Sequence, residues 1–344
     1  MKKLAIFICL TLCLSLLAGC AGTTVVYTDC TCDGQHISTE ATETTVAVEG
    51  SVKTGLAVVA SVTTTDAAAE AAGKVAYDVS LVAVLVDDEG VIVDCVIDSL
   101  GTEVTFDAAG VITGGVAAEV LTKNELGFDY NMELYTGGAA VGEWFEQAAA
   151  LAQFAKGKTV EEVFAAIDSE TGLATDVDLA TSATIKLGGY VAALEVAVAN
   201  AKHLGAQAGD ELKLASLNAV AEDGSLTCDA VALTLNDGVI TSCYIDSLQA
   251  GATINTDGTA AAGNTKTKNE LGFDYNMELY TGGAAVGEWF EQAASFCAYV
   301  TGKTPAEVAN IAIDESTVPT EVDLVTSVTI KIGGFQDLIA KAAQ

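Results

Sequence analysis

A block of 28 residues, TKNELGFDYNMELYTGGAAVGEWFEQAA, occurs twice without a change, at 122–149 and 267–294. Thr122 and Thr267 lie 145 residues apart, and the Thr-Ser-x-Thr-Ile-Lys-x-Gly-Gly segments at 181–189 and 326–334 keep the same offset. That period is far beyond the 20 to 50 residues of a solenoid unit, so each copy is expected to be a domain-sized repeat. The chain then divides into 1–19, 20–50, a first repeat at 51–205 and a second at 206–344.

The start of the chain reads as an export signal. Lys2 and Lys3 precede an apolar run at 4–17, too short to span a bilayer as a mature helix. The run ends in Leu17-Ala18-Gly19-Cys20, which resembles the lipobox of bacterial lipoproteins. The resemblance implies cleavage before Cys20 and a lipid on its sulfur, leaving the chain outside the cytoplasm and held to a membrane by its N-terminal lipid. Residues 21–50 are rich in Thr, Ser, Gly and Glu with little apolar periodicity, which suits a solvated tether. Cys30, Cys32 and His36 fall there and make at best an incomplete metal site.

The chain has 47 acidic residues against 15 basic ones, all of them lysine, for a net charge of −32. Such a surface repels phosphate backbones and argues against nucleic acid as a partner. Half the residues (51%) are hydrophobic, so the acidity belongs to the surface of a chain that can still bury a core.

Each repeat opens with strand signals. Segments 75–85 and 91–97 flank Asp87-Asp88-Glu89-Gly90, and 229–235 and 239–245 flank Asn236-Asp237-Gly238, both reading as β-hairpins. Further short apolar segments at 56–62, 102–106, 212–220 and 252–255 predict about four strands per copy, mostly antiparallel. Cys95 and Cys243 hold matched strand positions where a small packing role is expected.

Helices follow. Trp144, Ala148, Leu151 and Ala155 recur at helical spacing, as do Trp289, Ala293, Phe296 and Val300. Gly157 and Gly302 are expected to stop these helices, and Thr159 with Glu162, like Thr304 with Glu307, has capping-box spacing. Gly-Lys-Thr at 157–159 and 302–304 lacks the glycine and the strand context of a phosphate-binding loop, and that reading is rejected. A last helix begins near Gly189, with Tyr190, Leu194, Val198 and Ala201 on one side and Phe335, Leu338 and Ala342 on its counterpart. His203 is expected at its C-terminal end, where a cation is favoured. The fold class is therefore α+β, two tandem copies of a small antiparallel sheet packed with helices.

Before each last helix stand Asp178-Leu179-Ala180-Thr181-Ser182-Ala183-Thr184 and Asp323-Leu324-Val325-Thr326-Ser327-Val328-Thr329. The arrangement resembles the FMN-binding domain family of extracytoplasmic redox proteins, whose motif runs Asp-x-x-Ser/Thr-Gly-Ala-Thr ahead of a helix. The resemblance implies Thr184 and Thr329 as acceptors of FMN through a phosphoester installed by a flavin transferase, with Asp178 and Asp323 as the acid of the motif. Thr181, Ser182, Thr326 and Ser327 complete the two segments. Ser182 and Ser327 stand where the motif has glycine, and Val328 replaces its alanine, so the first copy is nearer to the pattern. Glu133, Thr136, Gly138 and Trp144, with Thr281 at the matched position of the second copy, are similar to a Glu-Thr-x-Gly loop of the same family, although two residues separate Glu133 from Thr136.

Local chemistry fits that placement. A helix start favours a phosphate, Lys186 or Lys331 supplies charge, and Phe128, Tyr130, Tyr135, Phe273, Tyr275 and Tyr280 are available to stack on a flavin ring. The same aromatics equally suit a core. Two functions follow: a lipid-anchored FMN carrier that exchanges electrons with redox partner proteins, or a non-redox surface binding module that kept the fold without the cofactor. A hydrolase lacks its residues, since His203 is the only histidine in the repeats.

Overall fold

A computed structural model describes residues 50–344. The Cys20 lipid site, the tether and the Cys30, Cys32 and His36 cluster lie outside the described residues. The first repeat carries β1 (Lys53–Thr65), β2 (Gly73–Val86), β3 (Ile92–Phe106) and the short β4 (Ile112–Gly114), paired antiparallel in that order. It continues through α1 (Lys123–Leu126), a 3-10 turn (Gly127–Tyr130), α2 (Met132–Thr136), α3 (Trp144–Ala155), α4 (Val160–Phe164), α5 (Val177–Ser182) and α6 (Gly188–Ala199).

The second repeat follows the same course. Strands β5 (Glu211–Val220), β6 (Leu226–Asn236) and β7 (Val239–Ala250) form a three-stranded sheet, and β8 (Ala252–Ile254) pairs separately with β9 (Ala260–Ala262). Helices α7 (Lys268–Leu271), α8 (Met277–Thr281), α9 (Trp289–Val300), α10 (Pro305–Ala309), α11 (Val322–Val325) and α12 (Gly333–Ala342) complete it. The α+β class in two copies is thus what the chain adopts. The expected separate strand at 102–106 is instead the second half of β3, continuous through Asp98, Ser99 and Leu100, because β2 is long enough to pair with all of it.

Both faces of each sheet are covered. On β2, Val82, Val84 and Val86 face α3 and α6, while Val79, Leu81, Ala83 and Leu85 point the other way, and all seven are buried. Alternation puts neighbouring side chains on opposite faces, so an unbroken apolar run signals a strand buried on both sides. The second sheet turns Val231, Leu233 and Leu235 to its own helices and Cys228, Ala230 and Ala232 to the shared interior. Small side chains there meet the larger Tyr77, Val79 and Leu81 of the first sheet, which lets the two sheets approach. The result is four layers, helices, sheet, sheet and helices, with the repeats sharing one core.

Each repeat also covers the other's open edge. Ala117 exchanges backbone bonds with Val220 of β5, Val120 donates to the Asn218 carbonyl and accepts from the Asn218 side chain, and Ala67 beyond β1 donates to Gly258 at 2.8 Å. The segment after α6 runs beside β1, where Thr54 and Lys202 bond both ways at 2.9 and 3.0 Å. Gly55 is required at this crossing, since a Cβ would stand 2.0 Å from the Ala197 carbonyl oxygen of α6. His203 lies past the helix end, not at it, with its ring nitrogens 3.3 Å from Ser51 Oγ and 2.9 Å from Asp88.

Helix boundaries follow the caps. The capping boxes at Thr159 and Thr304 are formed, and Pro305 occupies the first turn of α10. Gly157 (φ 77°) and Gly302 (φ 86°) take the left-handed turn after α3 and α9. Lys158 donates to the Phe154 carbonyl at 2.7 Å, which leaves the Gly-Lys-Thr segment a helix connector.

Tyr77 is fully buried and donates its hydroxyl to the Gly224 carbonyl of the other repeat at 2.7 Å. Tyr77→Phe is expected to lower stability by about 1–2 kcal/mol while leaving one cooperative transition in urea, because the repeats share their interior. Two separated transitions in the wild-type chain would contradict a shared core.

Candidate functional site

The duplicated block folds as a docked loop followed by a core helix. Thr122 and Thr267 are buried and cap α1 and α7, accepting from Glu125 and Glu270 at 3.2 and 3.1 Å. Asp98 and Asp246, in the middle of β3 and β7, accept from the Asn124 and Asn269 amides at 3.1 and 3.2 Å and so pin each loop to its sheet. Burial pushes both carboxyls up to about 6, against the lowering pull of these hydrogen bonds.

Beyond the pinned turn the loop is held by its own polar groups. Asn131 and Asn276 take left-handed backbone (φ 58°), which asparagine tolerates, and cap α2 and α8. Thr136 and Thr281 donate to Met132 and Met277 carbonyls and accept from Ala140 and Ala285, so their hydroxyls are engaged within the loop. Phe128, Leu134 and Tyr135, like Phe273, Leu279 and Tyr280, stand largely in solvent, and their copies of this block therefore carry exposed apolar side chains.

The two acceptor segments are built alike. Buried Gln147 accepts at its Oε1 from the Thr184 amide (2.7 Å), the Thr184 hydroxyl (3.2 Å) and the Ile185 amide (3.1 Å). Gln292 does the same for Thr329 and Ile330 at 2.8, 3.1 and 3.2 Å. These threonines lie between two helices and not on a strand. Ser182 is the last residue of helical α5, and Ser327 has no positive φ, so neither position needs the glycine of the family motif. Asp178 and Asp323 sit exposed in the first turns of α5 and α11. Thr181 and Ser182 turn their hydroxyls back to the Asp178 carbonyl, Ser327 turns its own to Leu324, and Thr326 ends α11 on the exposed side. Thr181, Ser182 and Ser327 are therefore engaged with their own helices, while Asp178, Asp323 and Thr326 stand exposed.

In the second repeat the acceptor opens on a cleft of about 670 Å³, a size that suits a small organic ligand. Thr329, Lys331, Lys268, Tyr275, Tyr280 and Trp289 are among its walls. Of the ten sequence-selected flavin contacts, Thr329 and Thr281 line it. No protein-family model, curated protein or solved structure matches the chain. The site's chemistry therefore has to be read from its own residues.

Several cleft residues escape a sequence reading. Asp229 on β6 pairs with Ser247, whereas the equivalent β2 residue, paired with Ser99, is Ser80. Burial raises the Asp229 pKa, with the Ser247 hydroxyl and Lys268 pulling it back. Burial likewise lowers the Lys268 pKa, with Asp229 and Asp246 opposing. Lys268 Nζ lies 4.9 Å from the Trp289 ring centre and 5.4 Å from that of Tyr275, cation–π distances.

Thr317 adds a strained point on the wall. Its φ is 66°, where its first-repeat counterpart is Gly172 at 73°, and both residues supply the carbonyl that receives the amide preceding the last helix. A β-branched residue there is disfavoured by contact of its branch with the backbone.

Two outcomes are expected. Thr317→Gly should stabilise the chain by about 1 kcal/mol in urea denaturation, since it relieves left-handed strain. The raised carboxyls contribute stability that is complete below about pH 4 and is lost as the pH rises through about 6. The double variant Asp98→Asn, Asp246→Asn should therefore raise the urea midpoint at about pH 7.5 and flatten its dependence on pH between about 4 and 6. A lower midpoint at the higher pH would refute this assignment.

Proposed function

We propose that the chain is a lipid-anchored extracytoplasmic carrier of FMN in electron transfer, with its flavin in the second repeat. The observation that carries this reading is that Thr329 opens on the same cleft as Lys268, Lys331, Tyr275, Tyr280 and Trp289. The residues fit the group. Aromatic rings line the cleft, and Lys331 follows the acceptor by two residues in a chain without arginine. Helix α12 begins beside them at Gly333 with no side-chain cap, so its first amides and dipole are available to a phosphate.

When bound, FMN would supply the electron-carrying ring, and the protein would place and tune it. Thr329 would hold the phosphate directly, or through a phosphoester in which its oxygen displaces the nucleoside monophosphate of a flavin dinucleotide on a flavin transferase. Its hydroxyl donates its hydrogen to Gln292, which orients the oxygen lone pairs away from that side chain. The lipid on Cys20 would keep the carrier near a membrane donor, and the acidic surface would select redox partners bearing positive charge.

Exposed Phe128, Leu134 and Tyr135 and their second-repeat counterparts favour a second reading, a non-redox surface module that holds a partner through the twin loops.

Expression of the mature chain with a flavin transferase separates the two. The carrier reading expects a flavin mass increment and visible flavin absorbance that Thr329→Ala abolishes and Thr184→Ala leaves in place. A wild-type chain that takes up no flavin, covalently or on titration, overturns it.

A further inference from the structure

The two repeats differ around one atom. In the first, the Tyr190 hydroxyl accepts from Trp144 Nε1 at 3.2 Å and from Lys123 Nζ at 3.4 Å. The second repeat keeps both donors, as Trp289 and Lys268, because they belong to the unchanged block. Their mutual geometry is also kept, with Nζ 5.1 Å from the Trp144 ring centre in one copy and 4.9 Å from Trp289 in the other. Phe335 replaces Tyr190, however, and packs its ring edge-on to Trp289 at 6.0 Å without offering an oxygen.

Two donors are thereby left without an acceptor. Trp289 is 5% exposed and lines the cleft, and among the described residues neither its Nε1 nor Lys268 Nζ has a hydrogen-bond partner or a carboxylate at ion-pair distance. Both residues line the open cleft, so water or a ligand oxygen can accept from these donors where the protein offers none. The first repeat displays what satisfies the pair, an oxygen on an aromatic ring. Asp229, present only in the second repeat, adds an acceptor on the same cleft wall. Donors beside an acceptor match the edge of a planar heteroaromatic ring that alternates carbonyl and N–H groups.

We propose that the second-repeat cleft receives a ligand oxygen at the position that the Tyr190 hydroxyl takes in the first repeat, held by Trp289 Nε1 and Lys268 Nζ. The first repeat is closed to the same ligand because its own tyrosine supplies that oxygen. The ligand is planar, with a carbonyl or carboxylate oxygen at its edge. For flavin, this rests on the carrier reading above, with a ring carbonyl as the oxygen. For other planar acceptors it stands without it.

The chain has two tryptophans, so its ¹⁵N-indole spectrum carries one signal for each repeat. Trp144→Phe assigns them. Riboflavin, FMN and benzoate are titrated separately into the mature chain, with flavin fluorescence followed alongside. The Trp289 signal is expected to shift with at least one probe while the Trp144 signal stays. Phe335→Tyr should weaken that binding by about tenfold or more, since it installs the competing hydroxyl. Tyr190→Phe should make Trp144 respond as well. A shift with benzoate alone supports the proposal and counts against flavin. Flavin bound with Trp289 unmoved overturns the proposal and leaves the carrier reading standing. No Trp289 shift with any probe, or Phe335→Tyr binding as wild type does, overturns the proposal.

Discussion

The structure depends on the contact between two sheets through faces of unequal size. Tyr77, Val79 and Leu81 on one side meet Cys228, Ala230 and Ala232 on the other, and close approach is possible because the small side chains make room for the large. That contact buries the sheet faces that the helices leave bare. It also turns each helical layer outward, so both copies of the duplicated block lie on the outside of the molecule. A single repeat would expose Leu81, Leu85 and their neighbours to water, and hence neither copy is complete without the other.

Duplication here is close in backbone and divergent in chemistry. The same 28 residues adopt the same caps and left-handed turns in both copies, because each of those features is closed by partners within the block or by the matched Asp98 and Asp246. What differs comes from outside the block. Ser80 becomes Asp229, Gly172 becomes Thr317 and Tyr190 becomes Phe335, and all three second-repeat residues line one cleft. Strain at Thr317 falls beside two donors to which the protein offers no acceptor, and sites that bind ligands are where such backbone strain concentrates.

Much of this was legible in the chain. The hairpins, the amphipathic helices and their capping boxes depend on residues a few positions apart, and they stand where the spacing put them. The long β3 was harder, because Asp98 interrupts its apolar pattern; only the pairing with β2 and the amide of Asn124 explain a carboxyl in mid-strand. Thr184 and Thr329 were findable as motif residues. Nothing in the motif told that Thr181, Ser182 and Ser327 would bond back to their own helices. The pairing of Lys268 with Trp289 as free donors shows only through the residues outside the block that change, since inside it the two copies are the same.

By itself the sequence determined the duplication, the α+β class, the element order and the turns, since these are set by periodicity and by caps of short range. The tertiary structure alone decided that the sheets share a core and that the second acceptor opens on a cleft. It also decided that one tyrosine, 46 positions from the tryptophan it satisfies, fills in the first repeat what the second leaves open. Such contacts join residues distant in the chain, and no local pattern of side chains encodes which of them will meet.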